Sequence, residues 1–322
     1  MTGAIPQATT HAAILAPNWL GDVAMAIPSI QTLLQRRPQT TFHVLARAPF
    51  SDVIGLLNAP QLKCHEMGPS VQELRKTLRT IDPEAVVLFP GSFRSAWICR
   101  GIGKVRIGVR QDSRSWWLTH AFPRGTSRPR ATHEHYADLV EHAVGIRPGP
   151  PHSLRAKGRG IDRSGIVLVP GASRPFKRWP ESRFVVLAKA LQTYQEPITL
   201  IGAPAEQTML NAIAREIPDS KVICNERLPQ TLESIKKAKI LVGNDTGPRH
   251  LAALFGTPCV TLFGPTDPRW APPTQYEHAL RSQPFAPGEL VANDAPGVFH
   301  LERISVGDVV SAVQQVMANQ YG

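Results

Sequence analysis

Apolar and polar positions along the chain follow two alternating registers. Short apolar runs stand between stretches in which apolar residues recur every three or four positions. The run at 12–16 (AAILA) predicts a buried strand, and Val23, Ile27, Ile30 and Leu34 fall on one face of a helix predicted over 22–36. Strands are also predicted at 42–46 and 86–89 (VVLF), with a helix over 134–144. A stretch rich in Pro, Gly and Arg follows at 145–165 and reads as an interdomain linker. The alternation then restarts. Strands are predicted at 166–169 (IVLV), 198–201 (ITLI), 240–242 and 260–263, with helices over 181–194, through 213, and over 306–317. Strands alternating with helices imply parallel sheets covered on both faces. The expected fold is therefore α/β, with two doubly wound domains facing a cleft, at 1–150 and 151–322. The last helix is expected to return to the first domain.

Composition adds limits rather than an answer. Hydrophobic residues make up 42% and charged residues 19% of the 322 positions, an ordinary globular balance. Lys and Arg outnumber Asp and Glu by 36 to 25, a net charge of +11. Such an excess implies an anionic partner: a phosphorylated substrate, an anionic membrane face or nucleic acid. The charge is scattered and no basic arm is present, which argues against nucleic acid. The four cysteines form no C-x-x-C pair, so neither a zinc ribbon nor a disulfide framework is indicated, and reduced cytosolic thiols fit. The N-terminus lacks the charged start and apolar run of a signal peptide. No window approaches the roughly 20 apolar residues of a membrane span. A cytoplasmic protein is expected, meeting a membrane only at its surface.

Ligands of open parallel sheets sit beyond the carboxyl ends of the strands, so the loops after the apolar runs carry the interest. Pro17-Asn18-Trp19-Leu20-Gly21-Asp22 follows the first strand. Asp22 is either an N-cap or a general base able to take a proton from an acceptor hydroxyl. In 170–180 (PGASRPFKRWP), small residues precede Ser173 and a basic trio containing Lys177, which suits a phosphate; a solvated basic turn is the alternative. In 243–250 (GNDTGPRH), a short polar loop opens a helix whose N-terminus suits a diphosphate; a capped helix with nothing bound is the alternative. There Thr246 and Gly247 allow close approach, and Asp245 is free to hold a ribose hydroxyl or to position the loop. Phe263-Gly264-Pro265-Thr266-Asp267-Pro268 is a turn at the cleft mouth, either a plain turn or one with a positioning role. In the first half, Arg94, Arg106, Arg110, Arg114 and Arg124 suggest either a solvated loop or recognition of a phosphorylated or carboxylated acceptor. Gly101-Ile102-Gly103 lacks the third glycine of a dinucleotide fingerprint. His133, His135, Asp138 and His142 lack metal-ligand spacing and read as a polar helix face.

These loops, in this order, resemble those of the ADP-heptose:lipopolysaccharide heptosyltransferases, glycosyltransferase family 9. The stretches that carry the likeness are NWLGDVAMAIPSI at 18–30, PGSFRSAW at 90–97, VPGASRPFKRWPESRF at 169–184 and VGNDTGPRHLAALFGTPCVTLFGPTDP at 242–268. PGSFRS and GPTDP make the chain more similar to the second heptosyltransferase than to the first. The resemblance implies a GT-B fold of two Rossmann-like domains, the N-terminal one binding the acceptor and the C-terminal one the nucleotide-sugar. It implies inverting transfer without a metal or cofactor, from an ADP-sugar, ADP-L-glycero-β-D-manno-heptose, to the anionic lipid A–Kdo inner core or its heptosylated form at the cytoplasmic membrane surface. Carried over, Asp22 matches the catalytic base. Ser173, Lys177, Asp245, Thr246, Gly247 and His250 match the donor site. Asn18, Arg94 and Arg110 are the candidate acceptor contacts. The chain departs from the family in lacking cysteines over 285–301 and in carrying Pro175-Phe176 before the lysine. A different sugar or acceptor, or a nucleotide-sugar epimerase or hydrolase on the same scaffold, stays open.

Overall fold

The computed structural model describes residues 3–68, 70–123, 131–149, 161–225, 227–264, 271–282 and 301–321. The chain divides into two compact units, Met1–Ser153 and Leu154–Gly322. The expected boundary at 150/151 lies outside the described residues, as do Arg124 and the Pro265–Pro268 turn.

The N-terminal unit runs β1 (His11–Leu15), α1 (Leu20–Arg36), β2 (Thr41–Ala46), α2 (Ala48–Gly55), β3 (Leu62–Glu66), α3 (Val71–Ile81), β4 (Ala85–Leu88), α4 (Phe93–Ile98), β5 (Val105–Arg110), β6 (His120–Pro123) and α5 (Thr132–Val144). The C-terminal unit runs β7 (Ile166–Val169), α6 (Glu181–Leu191), β8 (Ile198–Ile201), α7 (Gln207–Arg215), β9 (Lys221–Ile223), α8 (Pro229–Lys237), β10 (Ile240–Asn244), α9 (Gly247–Phe255), β11 (Cys259–Phe263), β12 (Glu277–Arg281) and α10 (Val306–Tyr321).

Each unit has a six-stranded sheet. The orders are β3-β2-β1-β4-β5-β6 and β12-β11-β10-β7-β8-β9. Every pairing is parallel. The two orders are the same doubly wound sequence, which reverses direction between β1 and β4 in one sheet and between β7 and β10 in the other. A ligand crevice opens at such a reversal, beyond the carboxyl ends of the strands. The central strands β1, β4, β7, β10 and β11 are apolar because helices cover both faces.

The final helix departs from expectation. Val309, Ala312 and Val313 of α10 join the core of the C-terminal unit, with Leu168, Val242 and Leu262 from the sheet. The apolar face of α10 is thus satisfied against α6 and strands β10–β12, where the sequence reading sends it back to the first unit.

Candidate active site

At the reversal point of the C-terminal sheet, β7 and β10 lie side by side, with Gly243 registered to Val169. A Cβ on Gly243 would fall 2.6 Å from the Val169 Cβ, so glycine is what lets the two strands end this close together. Asn244, fully buried, then ties the two loops that leave them. Its Nδ2 donates to the Pro170 carbonyl at 2.7 Å, and its Oδ1 accepts from the Trp179 backbone N–H at 3.0 Å. Trp179 is buried edge-on to Phe184, and its indole N–H donates to the Ile304 carbonyl at 2.9 Å. The 170–180 loop is therefore held at both ends, and Lys177 comes out of it on a short 3₁₀ turn, Pro175–Lys177.

Lys177 and Asp245 meet, Nζ to Oδ2, at 3.6 Å. The other carboxylate oxygen of Asp245 accepts from Nε of Arg249 at 2.7 Å. Burial alone would raise the Asp245 carboxyl, but the positive charges of Arg249 and Lys177 outweigh it and hold the group below its ordinary value. Thr246 occupies the N-cap of α9 with extended backbone and no side-chain cap bond, and Gly247 and Pro248 open the first turn. His250, half-buried, adds positive potential at Asp245. A half-buried cation beside a helix N-terminus is an arrangement that binds phosphate. Ser173 lies exposed in the β7 loop. Glu206, which the sequence reading passes over, brings a third group. Its carboxylate lies over Gly171, where a Cβ would fall 2.2 Å from it, and it accepts from the Ala203 N–H at 2.8 Å. The signal for it is positional: it follows the carboxyl end of β8.

In the N-terminal unit, Trp19 takes the cap position of α1 without a side-chain bond, and Asp22 sits in the first turn. Asp22 is therefore not the N-cap. Burial raises its carboxyl from 3.8 to about 6. Among the described residues it has no hydrogen-bond or ion-pair partner. Tyr136 of α5 is buried against Phe89, ring centroids 5.1 Å apart. Burial raises its hydroxyl well above the ordinary value and the charge of Asp22 raises it further, so the phenol stays protonated beside the carboxylate. Asn18 is half-buried in the same loop. Arg94, in the first turn of α4, and Arg110, at the end of β5, are exposed at the carboxyl edge of this sheet.

Arg106 and Arg114 are placed differently. Arg106 spends its guanidinium on the carbonyls of Trp117 (2.8 Å) and Gly103 (2.6 Å). Arg106 is thereby held by the fold. Arg114 is wholly buried. Asp138 is ion-paired to Arg147 at 2.6 Å, and its carbonyl is bonded to His142.

The family model for glycosyltransferase family 9 (heptosyltransferase) matches residues 71–285, about two-thirds of the chain. The chain belongs to glycosyltransferase family 9. It is similar to the lipopolysaccharide heptosyltransferase 2 of Escherichia coli K12, 25% identical over 82% of this chain and 85% of the relative. It is likewise similar to that of Salmonella typhimurium, 27% identical over the same shares. The solved structure of E. coli ADP-heptose lps heptosyltransferase II superposes with a TM-score of 0.78 at 23% identity, covering 97% of this chain and 100% of that one. E. coli heptosyltransferase WaaC with ADP-2-deoxy-2-fluoro heptose superposes at 0.75 and 19%, covering 95% and 99%. At these identities the structural likeness establishes the fold, the GT-B pair of Rossmann-like domains, and the family model establishes the class of enzyme. As a family 9 member the chain is a glycosyltransferase.

Proposed function

We propose that this family 9 enzyme transfers heptose from ADP-L-glycero-β-D-manno-heptose to the inner core of lipopolysaccharide, with inversion and without a metal. The observation that carries the reading is the Lys177–Asp245 pair beside the N-terminus of α9, joined by the Asn244 clamp to the loop after β7. The relatives are named for lipopolysaccharide, and one similar structure is named for its ADP-heptose analogue. The C-terminal domain holds the donor. Lys177 and the α9 N-terminus meet the diphosphate, Ser173, Thr246, Gly247 and His250 surround it, and Glu206 accepts a hydroxyl of the nucleoside. The N-terminal domain holds the acceptor, with Arg94, Arg110 and Asn18 on its anionic and polar groups.

The reaction is one displacement. The acceptor oxygen forms a bond to the anomeric carbon as the bond to the β-phosphate oxygen breaks, and ADP departs with the added negative charge. Lys177 and the α9 dipole stabilise that charge, where preorganised electrostatics contribute most. Asp22 takes the acceptor proton. Its raised value, about 6, suits a base working near neutrality, since it is ionised at pH 7 yet more basic than an ordinary aspartate. The acceptor is membrane-borne, and the +11 charge favours an anionic cytoplasmic membrane surface.

A thermal-shift panel of ADP-, UDP- and GDP-sugars tests the donor. ADP-heptose at 100 times its Kd should stabilise the protein by about 2.7 kcal/mol while the other nucleotide-sugars leave the melting point unchanged. A shift with a UDP- or GDP-sugar, or with none, contradicts the assignment.

A further inference from the structure

We infer that Arg249 is a positioning residue for the transfer: anchored by Glu277, it orients Asp245, and Asp245 sets the Lys177 ammonium. The inference rests on the reading that Lys177 meets the diphosphate.

Four charges of alternating sign form a row. Lys177 Nζ lies 3.6 Å from Asp245 Oδ2, and Asp245 Oδ1 lies 2.7 Å from Arg249 Nε. Arg249 Nη1 donates to both oxygens of Glu277 at 2.9 Å. Arg249 Nη2 donates to the Ala271 carbonyl at 2.5 Å, and the guanidinium lies 4.9 Å from the Phe263 ring centroid. Glu277 is held from its other side by the Thr261 hydroxyl at 2.5 Å and the Thr274 N–H at 3.2 Å. Side-chain exposure falls along the row, from 18% at Lys177 to 9% at Asp245 and 2% at both Arg249 and Glu277. The row starts in the core and ends at the partly exposed cation of the site.

Stability alone does not explain this construction. A buried ion pair seldom stabilises more than apolar residues of the same volume, because both charges lose their water. Orientation does explain it. Lys177 stands on a three-residue turn with a long, flexible stem, and a freely turning carboxylate would not hold it in one place. Arg249 uses three separate nitrogens on three separate acceptors, so the planar guanidinium fork is itself fixed in orientation by Glu277 and Ala271 and presents Nε to Asp245 Oδ1 from one direction. Glu277 belongs to β12 and pairs in register with Cys259 of β11, so the anchor is the rigid edge of the sheet. Burial would lower the Arg249 pKa, but Asp245 and Glu277 outweigh it and keep the guanidinium charged.

The test is a double-mutant cycle on the full-length enzyme, with ADP-heptose varied at saturating acceptor. Arg249→Met should lower kcat/KM for the donor roughly 10–100-fold, the cost typical of losing a supporting residue. In the Lys177→Ala background the same change should have almost no effect. Arg249→Lys, which keeps the charge but loses the fork, should restore only part of the activity. Glu277→Gln, nearly isosteric, runs the same cycle should Arg249→Met fail to fold. Equal fold-losses in both backgrounds overturn the proposal. A second readout needs no nucleotide: with lysines labelled as ¹³C-dimethyl groups, Arg249→Met or Glu277→Gln should move the Lys177 resonance. An unmoved resonance overturns the positioning role. A moved resonance with unchanged donor kinetics leaves that role standing and instead removes Lys177 from the donor site.

Discussion

On the role proposed for Asp22, one buried carboxylate couples stability to turnover. Its value of about 6 in the folded chain lies above its unfolded value near 3.8. Folding therefore favours the protonated form. The benefit is complete below pH 3.8 and lost as pH rises through about 6, so at neutral pH the ionised side chain costs stability. Asp22→Asn should melt higher than the wild type at pH 8, by about 1–3 kcal/mol for a shift of this size, and the gap should close at pH 4. The same variant should lose roughly 10²–10⁴-fold in kcat, and the wild-type rate should rise with pH through about 6. A variant neither stabilised nor slowed removes both roles. Asp22, Lys177 and Asp245 are legible in the sequence because each stands in a segment that follows an apolar run, Asp22 in the first turn of a helix and the others in loops. Tyr136 and Arg249 are not, since nothing in a helical pattern says which buried polar residue faces a charge.

At the scale of elements, the hydrophobic run is a good detector of central strands and a poor one of edges. Strands β1, β4, β7, β10 and β11 are predicted within a residue or two. The edge strand β3 (LKCHE) carries little apolar signal. It is tied in by a ladder of imidazoles across three strands, His11 to His43 at 3.2 Å and His43 to His65 at 2.9 Å. An edge strand of the C-terminal sheet, β12 (EHALR), hides Glu277 for the same reason. Asn244 is overlooked because it looks like loop but ends β10, where its amide latches two loops. Asn244→Ala would strand the Pro170 carbonyl and the Trp179 N–H. It should cost about 1–3 kcal/mol in denaturant unfolding and raise the KM for the donor as the β7 loop loosens. Unchanged stability with weaker donor use would mean that Asn244 touches the ligand instead.

At the scale of the whole molecule, two doubly wound units are readable from alternation alone, because covered parallel sheets leave long apolar runs. The identical strand order of the two sheets is not readable, since it depends on which strands neighbour one another. Nor is the placement of α10, whose apolar face fits either unit by pattern and is settled only by packing. On the proposed function, the fold contributes the pair of reversal points, each furnished with its own chemistry: a raised carboxylate in one unit, and an ammonium beside a helix N-terminus in the other. The most direct test of that division of labour is ADP release from ADP-L-glycero-β-D-manno-heptose by the purified enzyme, measured without an acceptor and with Kdo–lipid A or its heptosylated form. Fast release and a heptosylated product are expected only when the acceptor is present, with both abolished by Lys177→Ala together with Asp22→Asn. Equal release without the acceptor would mean hydrolysis, and no release with it would mean a different donor or acceptor.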